Sequence, residues 1–298
     1  MLVLCSLGGP FEDTARRRGF ALHPNGLDET PEADLEEVRA LVIRSGVAVD
    51  RAFLARLPAL RHVIRAGSGV DNIDQAELAA RSISLAVRKA ASADAVAEVA
   101  LAGLASLARR LPLGNWSLRA GRWDKSDLVG AVLAGVRVVV WGAGPVGRAC
   151  AARLRPLVGN VSFVAWPSAR DVPSLSRDEA VATADAHVLA LPLRQSTRQL
   201  FDAELLGQMA AKRPHLVNIG RLDLMDREAV LAALRDDGLR GVYIDAIDAG
   251  HVPWAAEALA GEPLNLWISP HLGAQRSDVL DTLGGWVLDE LEGADLGA

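Results

Sequence analysis

The chain is short of cysteine, of excess positive charge and of long apolar runs, and each shortage removes a class of function. Its 298 residues hold two cysteines, Cys5 in the first apolar run and Cys150 near the middle. Two thiols cannot build a disulfide framework, so both are expected to be reduced and buried. A formal charge of −5 and a pI near 5.7 leave no electrostatic footprint for nucleic acid, and no basic cluster with interleaved aromatics is present. No apolar run approaches the roughly 20 residues of a membrane span. Met1-Leu-Val-Leu-Cys5 is too short for a signal peptide and lacks its basic flank. No nucleic-acid partner, no membrane and a cytoplasmic address are therefore expected. Internal repeats, low-complexity tracts and long linkers are also missing. What is present is apolar mass: half of all residues, enough for one large core or two moderate ones, with length suggesting two domains.

The stretch from Val136 to Arg170 organises the rest. Val138, Val139, Val140 and Trp141 form an apolar run without alternation, the pattern of a strand buried on both faces. Gly142, Gly144 and Gly147 then give G-x-G-x-x-G, with Pro145 and Val146 opening the helix that follows. In that context the first glycine serves the turn, the second the close approach of a pyrophosphate, and the third the packing of helix on sheet. The first free N–H groups of such a helix point at phosphate oxygens. The spacing predicts a dinucleotide site, against the plainer reading of a glycine turn in an α/β core. About twenty residues past the glycines, an acidic side chain normally holds the ribose 2′-hydroxyl of NAD. Trp166 stands there instead, followed by Pro167, Ser168, Ala169 and Arg170. A hydroxyl and a guanidinium without an acid favour NADP over NAD as the cofactor.

Taken in order, Leu2 to Ser6 reads as a strand, Glu12 to Gly19 as a short helix and Leu41 to Ile43 as another strand. Asp50 is placed to cap a helix from Ala52 to Leu57. Past Arg65, the residues Gly67, Ser68 and Gly69 offer consecutive backbone N–H groups to a carboxylate. The segment Ser92–Arg110 is helical and apolar nearly all round, which predicts burial between domains or subunits. Apolar runs at 186–192, 216–221, 241–245 and 266–271 follow, several separated by helical segments near 202–211 and 226–236. Strands alternating with helices mean a parallel, doubly wound sheet with ligands beyond the carboxyl ends of its strands.

Together and in this order, Ile64-Arg-Ala-Gly-Ser-Gly-Val-Asp-Asn-Ile-Asp74, Ala97-Glu98, the glycine turn, Leu191-Pro192-Leu193, Asn218-Ile-Gly-Arg221, Asp245 and Ser269-Pro-His-Leu-Gly-Ala274 resemble the D-isomer-specific 2-hydroxyacid dehydrogenase family, most closely its phosphoglycerate dehydrogenase branch. The resemblance covers about residues 38 to 290. It implies an α/β fold of two doubly wound parallel-sheet domains, Rossmann- and flavodoxin-like, with a cleft between them. Residues 1–92, completed by 272–298, would bind the substrate, and residues 93–271 the dinucleotide. The implied activity is hydride transfer between NADP or NAD and a small 2-oxo or D-2-hydroxy acid. Arg221 would bind the substrate carboxylate and polarise its carbonyl, and His271 would exchange the proton with the 2-oxygen. Gly67, Ser68 and Gly69 would hold the carboxylate, while Pro192, Asp245 and Gly273 would line the cofactor. These residue types suit the chemistry, because hydride addition to a carbonyl builds negative charge on one oxygen, which a cation and a proton donor stabilise. A homodimer formed through the Ser92–Arg110 helix is expected.

Three positions depart from the family's pattern. Leu222-Asp223 follow Arg221 where glycine is usual, which predicts a bulkier and more acidic cleft. Arg88-Lys89 replace a proline between the domains, as cations near the cleft or as decoration of a hinge. Gly250-His251 stand where the glutamate that pairs with the histidine belongs, with Asp248 the nearest carboxylate. The missing glutamate and ribose acid keep a non-catalytic nucleotide-binding sensor or pseudoenzyme as the alternative. Retention of Arg221 and His271 argues for the enzyme.

Overall fold

The computed structural model describes residues 2–5, 9–23, 30–164 and 171–294. Ser6, Trp166, Ser168 and Arg170 lie outside the described residues, as does the Cys5 side chain. The chain divides into two compact units, Met1–Ser92 with Arg276–Ala298, and Ala93–Gln275.

The first unit alternates strand and helix: β1 (Leu2–Cys5), α1 (Gly9–Arg17), β2 (Ala21–His23), α2 (Glu32–Leu35), β3 (Val38–Ile43), α3 (Arg51–Ala55), β4 (His62–Arg65), α4 (Gln75–Ala80) and β5 (Ser84–Val87). All five strands are parallel, in the order β2-β1-β3-β4-β5. In β3 the residues Leu41 and Ile43 face one core with Leu54, Leu57 and Leu78, while Ala40 and Val42 face the other with Phe20, Val287 and Leu288. The second core is closed by the last helix of the chain. Asp50 caps α3 as expected, its Oδ1 accepting from the Phe53 N–H at 2.8 Å. Gly19, with φ +88°, closes α1 in the left-handed conformation that glycine adopts without strain.

The second unit runs α5 (Ala93–Ala108), α6 (Leu111–Arg119), β6 (Arg137–Trp141), α7 (Pro145–Leu154), β7 (Asn160–Val164), α8 (Arg177–Thr183), β8 (Ala186–Leu189), α9 (Ala203–Met209), β9 (His215–Asn218), α10 (Arg227–Arg235), β10 (Gly241–Ile244), α11 (Val252–Ala260) and β11 (Leu266–Ile268), after which α12 (Ser277–Gly293) completes the first unit. The six strands are parallel in the order β11-β10-β9-β8-β6-β7. From β6 the chain winds outward to β7, then returns to β8 on the other side, so the switch point lies between β6 and β8. In such sheets the crevice beyond the carboxyl ends at that point takes the ligand. Val138 and Val140 enter the core beneath α5 and α7; Val139 and Trp141 enter the opposite core with Leu205, Leu206 and Met209. Burial on both faces explains the uninterrupted apolar run.

The helix expected over Ser92–Arg110 is Ala93–Ala108. It packs inside its own unit against α7, β9 and β10, burying Ala97, Ala100, Leu104 and Leu107. Gly103 lies against the Tyr243 ring, and any Cβ there would collide with it. Among the described residues, no helix is long and apolar enough to cross a membrane.

Candidate active site

The glycine turn follows β6 directly. Gly142 has φ +104°, and a Cβ there would lie 2.9 Å from the Ala190 carbonyl oxygen. A Cβ on Gly147 would run into the carbonyl oxygen of Gly142. The first and third glycines are thus required by packing alone. Gly144 differs: a Cβ there would meet nothing within 4 Å. It is the N-cap of α7, no side chain caps that helix, and Pro145 sits in its first turn. Uncapped N–H groups before open space, with the helix dipole behind them, fit a pyrophosphate. Arg148 braces the turn by donating from Nε to the Ala143 carbonyl at 2.8 Å, and from Nη2 to both Asp171 oxygens at 2.7 and 2.8 Å. Cys150, behind the turn, is an unpaired thiol pushed up to about 12 by burial.

The other candidate residues of this unit follow the carboxyl ends of β8 to β11. Pro192 lies beyond β8, where the buried Thr197 hydroxyl donates to the Pro192 carbonyl at 2.8 Å and accepts from the Arg194 N–H at 2.8 Å. After β9, the buried Asn218 folds the next turn back on itself. Its Oδ1 accepts from the Gly220 N–H at 3.0 Å, and its Nδ2 donates to the Arg221 carbonyl at 2.8 Å. The Arg221 guanidinium donates to the Gly220 carbonyl at 2.9 Å. Neither Thr197 nor Asn218 was singled out from sequence, although Asn218 belongs to the motif around Arg221.

Asp245, after β10, is buried with its carboxylate surrounded by donors. Oδ1 accepts from Ser269 Oγ at 2.7 Å, from the Leu272 N–H at 2.8 Å and, more weakly, from the Tyr243 hydroxyl at 3.5 Å; Oδ2 accepts from the Gly273 N–H at 2.9 Å. The Asp245 backbone carbonyl accepts from the His271 N–H at 2.7 Å. His271 itself has φ +57°, a conformation that costs a non-glycine residue about 1 kcal/mol or more. Gly273 has no room for a side chain, since a Cβ would come within 3.0 Å of Asp245 and Val96. Burial and the neighbouring carboxylate push the Tyr243 phenol well above its usual range, so it remains a proton donor.

Two expectations about this unit are corrected. Leu222 does not add bulk to an open site, because it is 1% exposed and joins the core with Leu224 and Met225. Asp223 does not add a bare negative charge, because its carboxylate pairs with the Arg198 guanidinium. Asp248 caps the 3-10 turn Ala249–His251 by accepting from the Gly250 N–H at 3.0 Å, and pairs with His251 Nδ1 at 2.8 Å.

In the first unit, Gly67, Ser68 and Gly69 follow the carboxyl end of β4. The Gly67 N–H turns back to the Arg65 carbonyl at 2.8 Å. Arg65, 4% exposed, donates from Nε to the Gly69 carbonyl at 2.9 Å and from Nη1 to the Ala66 carbonyl at 3.1 Å. A buried cation thus shapes this loop, and sequence reading gave that arginine no role. Arg88, after β5, is exposed, with its guanidinium 5.9 Å from the centre of the Trp286 ring on α12. Among the described residues, no cluster of His, Cys, Asp and Glu could hold a metal ion. A cavity of about 620 Å³ elsewhere in the second unit, bordered by α6, α11 and β11, is lined by none of these residues.

Residues 101–273 match the model of the D-isomer specific 2-hydroxyacid dehydrogenase NAD-binding domain. The chain is 32% identical over 266 residues to D-3-phosphoglycerate dehydrogenase 2, chloroplastic, of Arabidopsis thaliana, covering 87% of this chain and 42% of that protein. It therefore spans about half the length of the curated relatives of this kind that it matches. It is 33% identical over 248 residues to (S)-sulfolactate dehydrogenase of Chromohalobacter salexigens, covering 79% of this chain and 77% of that one. Among solved structures, the TT0316 protein of Thermus thermophilus superposes with a TM-score of 0.81 at 29% identity, covering 98% of this chain and 96% of the other. The glycine turn and the strand-end loops of the second unit that carry candidate residues fall within the matched span, and the chain belongs to the D-isomer-specific 2-hydroxyacid dehydrogenase family.

Proposed function

We propose that the chain is a nicotinamide-dependent oxidoreductase that interconverts a small 2-oxo acid and its D-2-hydroxy acid. The observation that carries this reading is the placement of Arg221 and His271 beyond β9 and β11, on the edge of the sheet where Gly144 leaves open space before an uncapped helix. Gly142, Gly144, Pro145, Val146 and Gly147 would hold the pyrophosphate of the cofactor, with Pro192 and Gly273 along its length. When bound, that cofactor would supply a hydride to C2 of the acid. Arg221 pairs with the carboxylate and polarises the carbonyl, His271 gives its proton to the 2-oxygen, and C=O becomes CH–OH with charge balanced. With the Gly67 N–H turned back to the Arg65 carbonyl, the Ser68 and Gly69 amides are the ones left to hold a carboxylate, and Arg65 fixes their loop. Asp245 acts at the nicotinamide end through the Leu272 and Gly273 amides that its carboxylate anchors.

NADPH is the preferred nucleotide in this reading, because Trp166 cannot accept the ribose hydroxyls while Ser168 and Arg170 can engage a 2′-phosphate. The protein acts as a homodimer. Val96, Val99 and Leu101 of α5 are only partly buried in their own unit, and among the described residues the segment after α5 adds exposed apolar surface at Leu118, Trp123, Val129 and Val132, with Trp123 78% exposed. Sedimentation of the parent and of a Leu118→Ser, Trp123→Ser variant tests this, and a parent that sediments as a monomer overturns it. The test of function is steady-state oxidation of NADPH and NADH against a panel of 2-oxo acids. Turnover with at least one acid, lost in Arg221→Gln and His271→Gln, is expected; nucleotide binding without turnover of any acid overturns the reading.

A further inference from the structure

The hydroxyls of Tyr243 and Ser269 have no part in the reaction just described, yet they converge on the loop that carries its proton donor. Tyr243 is buried in β10, with its ring against Gly103 of α5 and 4.9 Å from the centre of the Trp267 ring. Its hydroxyl lies 2.7 Å from Ser269 Oγ, and Ser269 Oγ lies 2.7 Å from Asp245 Oδ1. Each oxygen has one proton to give, so the direction is fixed by the acceptor at the end. Asp245 can only accept, so Ser269 donates to it and Tyr243 donates to Ser269. The same Oδ1 receives the Leu272 N–H, Oδ2 receives the Gly273 N–H, and the His271 N–H goes to the Asp245 and Ser269 carbonyls at 2.7 and 2.9 Å. Three successive amides of a turn with a left-handed residue at its head are therefore fastened to one buried aspartate and its neighbour. That aspartate is oriented by a relay of two hydroxyls.

We propose that Tyr243 and Ser269 are positioning residues for His271, holding the Asp245 carboxylate in the one orientation that fixes the 271–273 turn. The inference rests on the reading of His271 as the proton donor. A carboxylate with two donors on one oxygen and one on the other cannot rotate without breaking bonds that a buried site does not readily replace. If the relay is removed, Oδ1 keeps only the Leu272 amide. The turn then gains alternative conformations in which the imidazole is misplaced, and small misplacements of a catalytic group cost large factors in rate.

The experiment uses the full chain and three variants: Tyr243→Phe, which keeps the ring against Gly103; Ser269→Ala, which breaks the relay; and Ser269→Thr, which restores a hydroxyl. Two readouts are taken. With the 2-oxo acid that the parent reduces best, kcat is expected to fall about tenfold or more in Tyr243→Phe and Ser269→Ala, with KM for the acid and Kd for the nucleotide within about twofold. The double variant should be no worse than the worse single one, since the two hydroxyls act as one unit. Ser269→Thr should stay within about threefold of the parent. Without any substrate, hydrogen exchange of the amides at 271–273 is expected to accelerate about tenfold in the two disruptive variants, while β9 amides at 216–218 exchange as in the parent. Unchanged kcat in both disruptive variants overturns the inference, as does exchange that accelerates equally across the whole unit. A parent that reduces no 2-oxo acid overturns the functional reading instead; local exchange at 271–273 still reads the relay in that case.

Discussion

Asp248 is the residue on which the missing glutamate turns, and the geometry gives it another task. Its carboxylate caps a 3-10 turn and pairs with His251 three residues on at 2.8 Å, so neutralising it is expected to loosen that turn. Carbonyl reduction requires the protonated acid, so kcat/KM for reduction should decline as pH rises past the titration of that acid. We expect the declining limb to coincide in the parent and in Asp248→Asn. Gly250→Glu, which returns a carboxylate to the position the family uses, should move the limb to higher pH, because a nearby negative charge favours the imidazolium; a limb moved by one pH unit corresponds to about 1.4 kcal/mol. A limb that drops in Asp248→Asn would show that Asp248 serves the histidine after all. The same scale shows why two departures read from sequence were misjudged. Leu222 and Asp223 looked like additions to an open site, but a 3-10 turn sends the leucine inward and Arg198 meets the aspartate. A linear sequence gives residue type and spacing, not the side to which a turn sends a side chain.

At the scale of an element, the glycine turn separates what packing requires from what a ligand requires. Gly147→Ala sets a Cβ against the Gly142 carbonyl oxygen, a backbone clash that cannot be relieved by rotating a side chain, so a marked loss of stability is expected. Gly144→Val meets open space at a φ of −70°, so the melting temperature should stay near that of the parent while nucleotide affinity falls about tenfold or more. Thermal melts and fluorescence titration with NADPH and NADH check both, and a Gly144→Val protein that binds as tightly as the parent removes the pyrophosphate from this turn. The strands were legible where both faces are buried, as in Val138–Trp141 and Leu216–Asn218, because a short unbroken apolar run between turn residues fits a strand covered on both sides. The short edge strands Ala21–His23 and Ser84–Val87 were not, since three or four residues paired on one side leave little pattern. For α5, all-round apolarity revealed burial but not the neighbour. Periodicity reports that a face is covered, and only tertiary contacts report by what. The relay from Tyr243 to Asp245 was invisible for a similar reason: its partners are 26 and 24 residues apart, joined by strand pairing between β10 and β11 rather than by local spacing.

For the whole molecule, the buried histidines make stability depend on pH in a window that can be isolated. His187, fully buried in β8, accepts from the Trp141 indole N–H at 3.0 Å through Nδ1, and its Nε2 has no partner among the described residues. Burial lowers its pKa to about 4. His215, at the start of β9, is also lowered to about 4, first by burial and then by the Arg240 and Arg110 charges. His62 in the first unit is lowered as well, by burial, with Glu290 opposing. A histidine whose folded pKa lies below its unfolded value of about 6.5 contributes stability that is complete above pH 6.5 and is lost as pH falls toward the folded value, because the unfolded chain then binds the extra proton. For His187 and His215 the upper bound is about 3 kcal/mol each. Carboxylates do not confuse this window: Asp185, held low by its hydrogen bond to Arg137, gives up its contribution only below its own unfolded value near 4. Unfolding in urea, followed at pH 7.5, 6 and 5, should therefore show a midpoint that falls steadily with acidity. The slope should be smaller in the double variant His187→Gln, His215→Gln, where an amide oxygen can still accept from Trp141 but nothing titrates. A parent midpoint that is flat from pH 7.5 to 5 would exclude differential proton uptake in this window, and a double variant as acid-sensitive as the parent would place that uptake elsewhere than in β8 and β9.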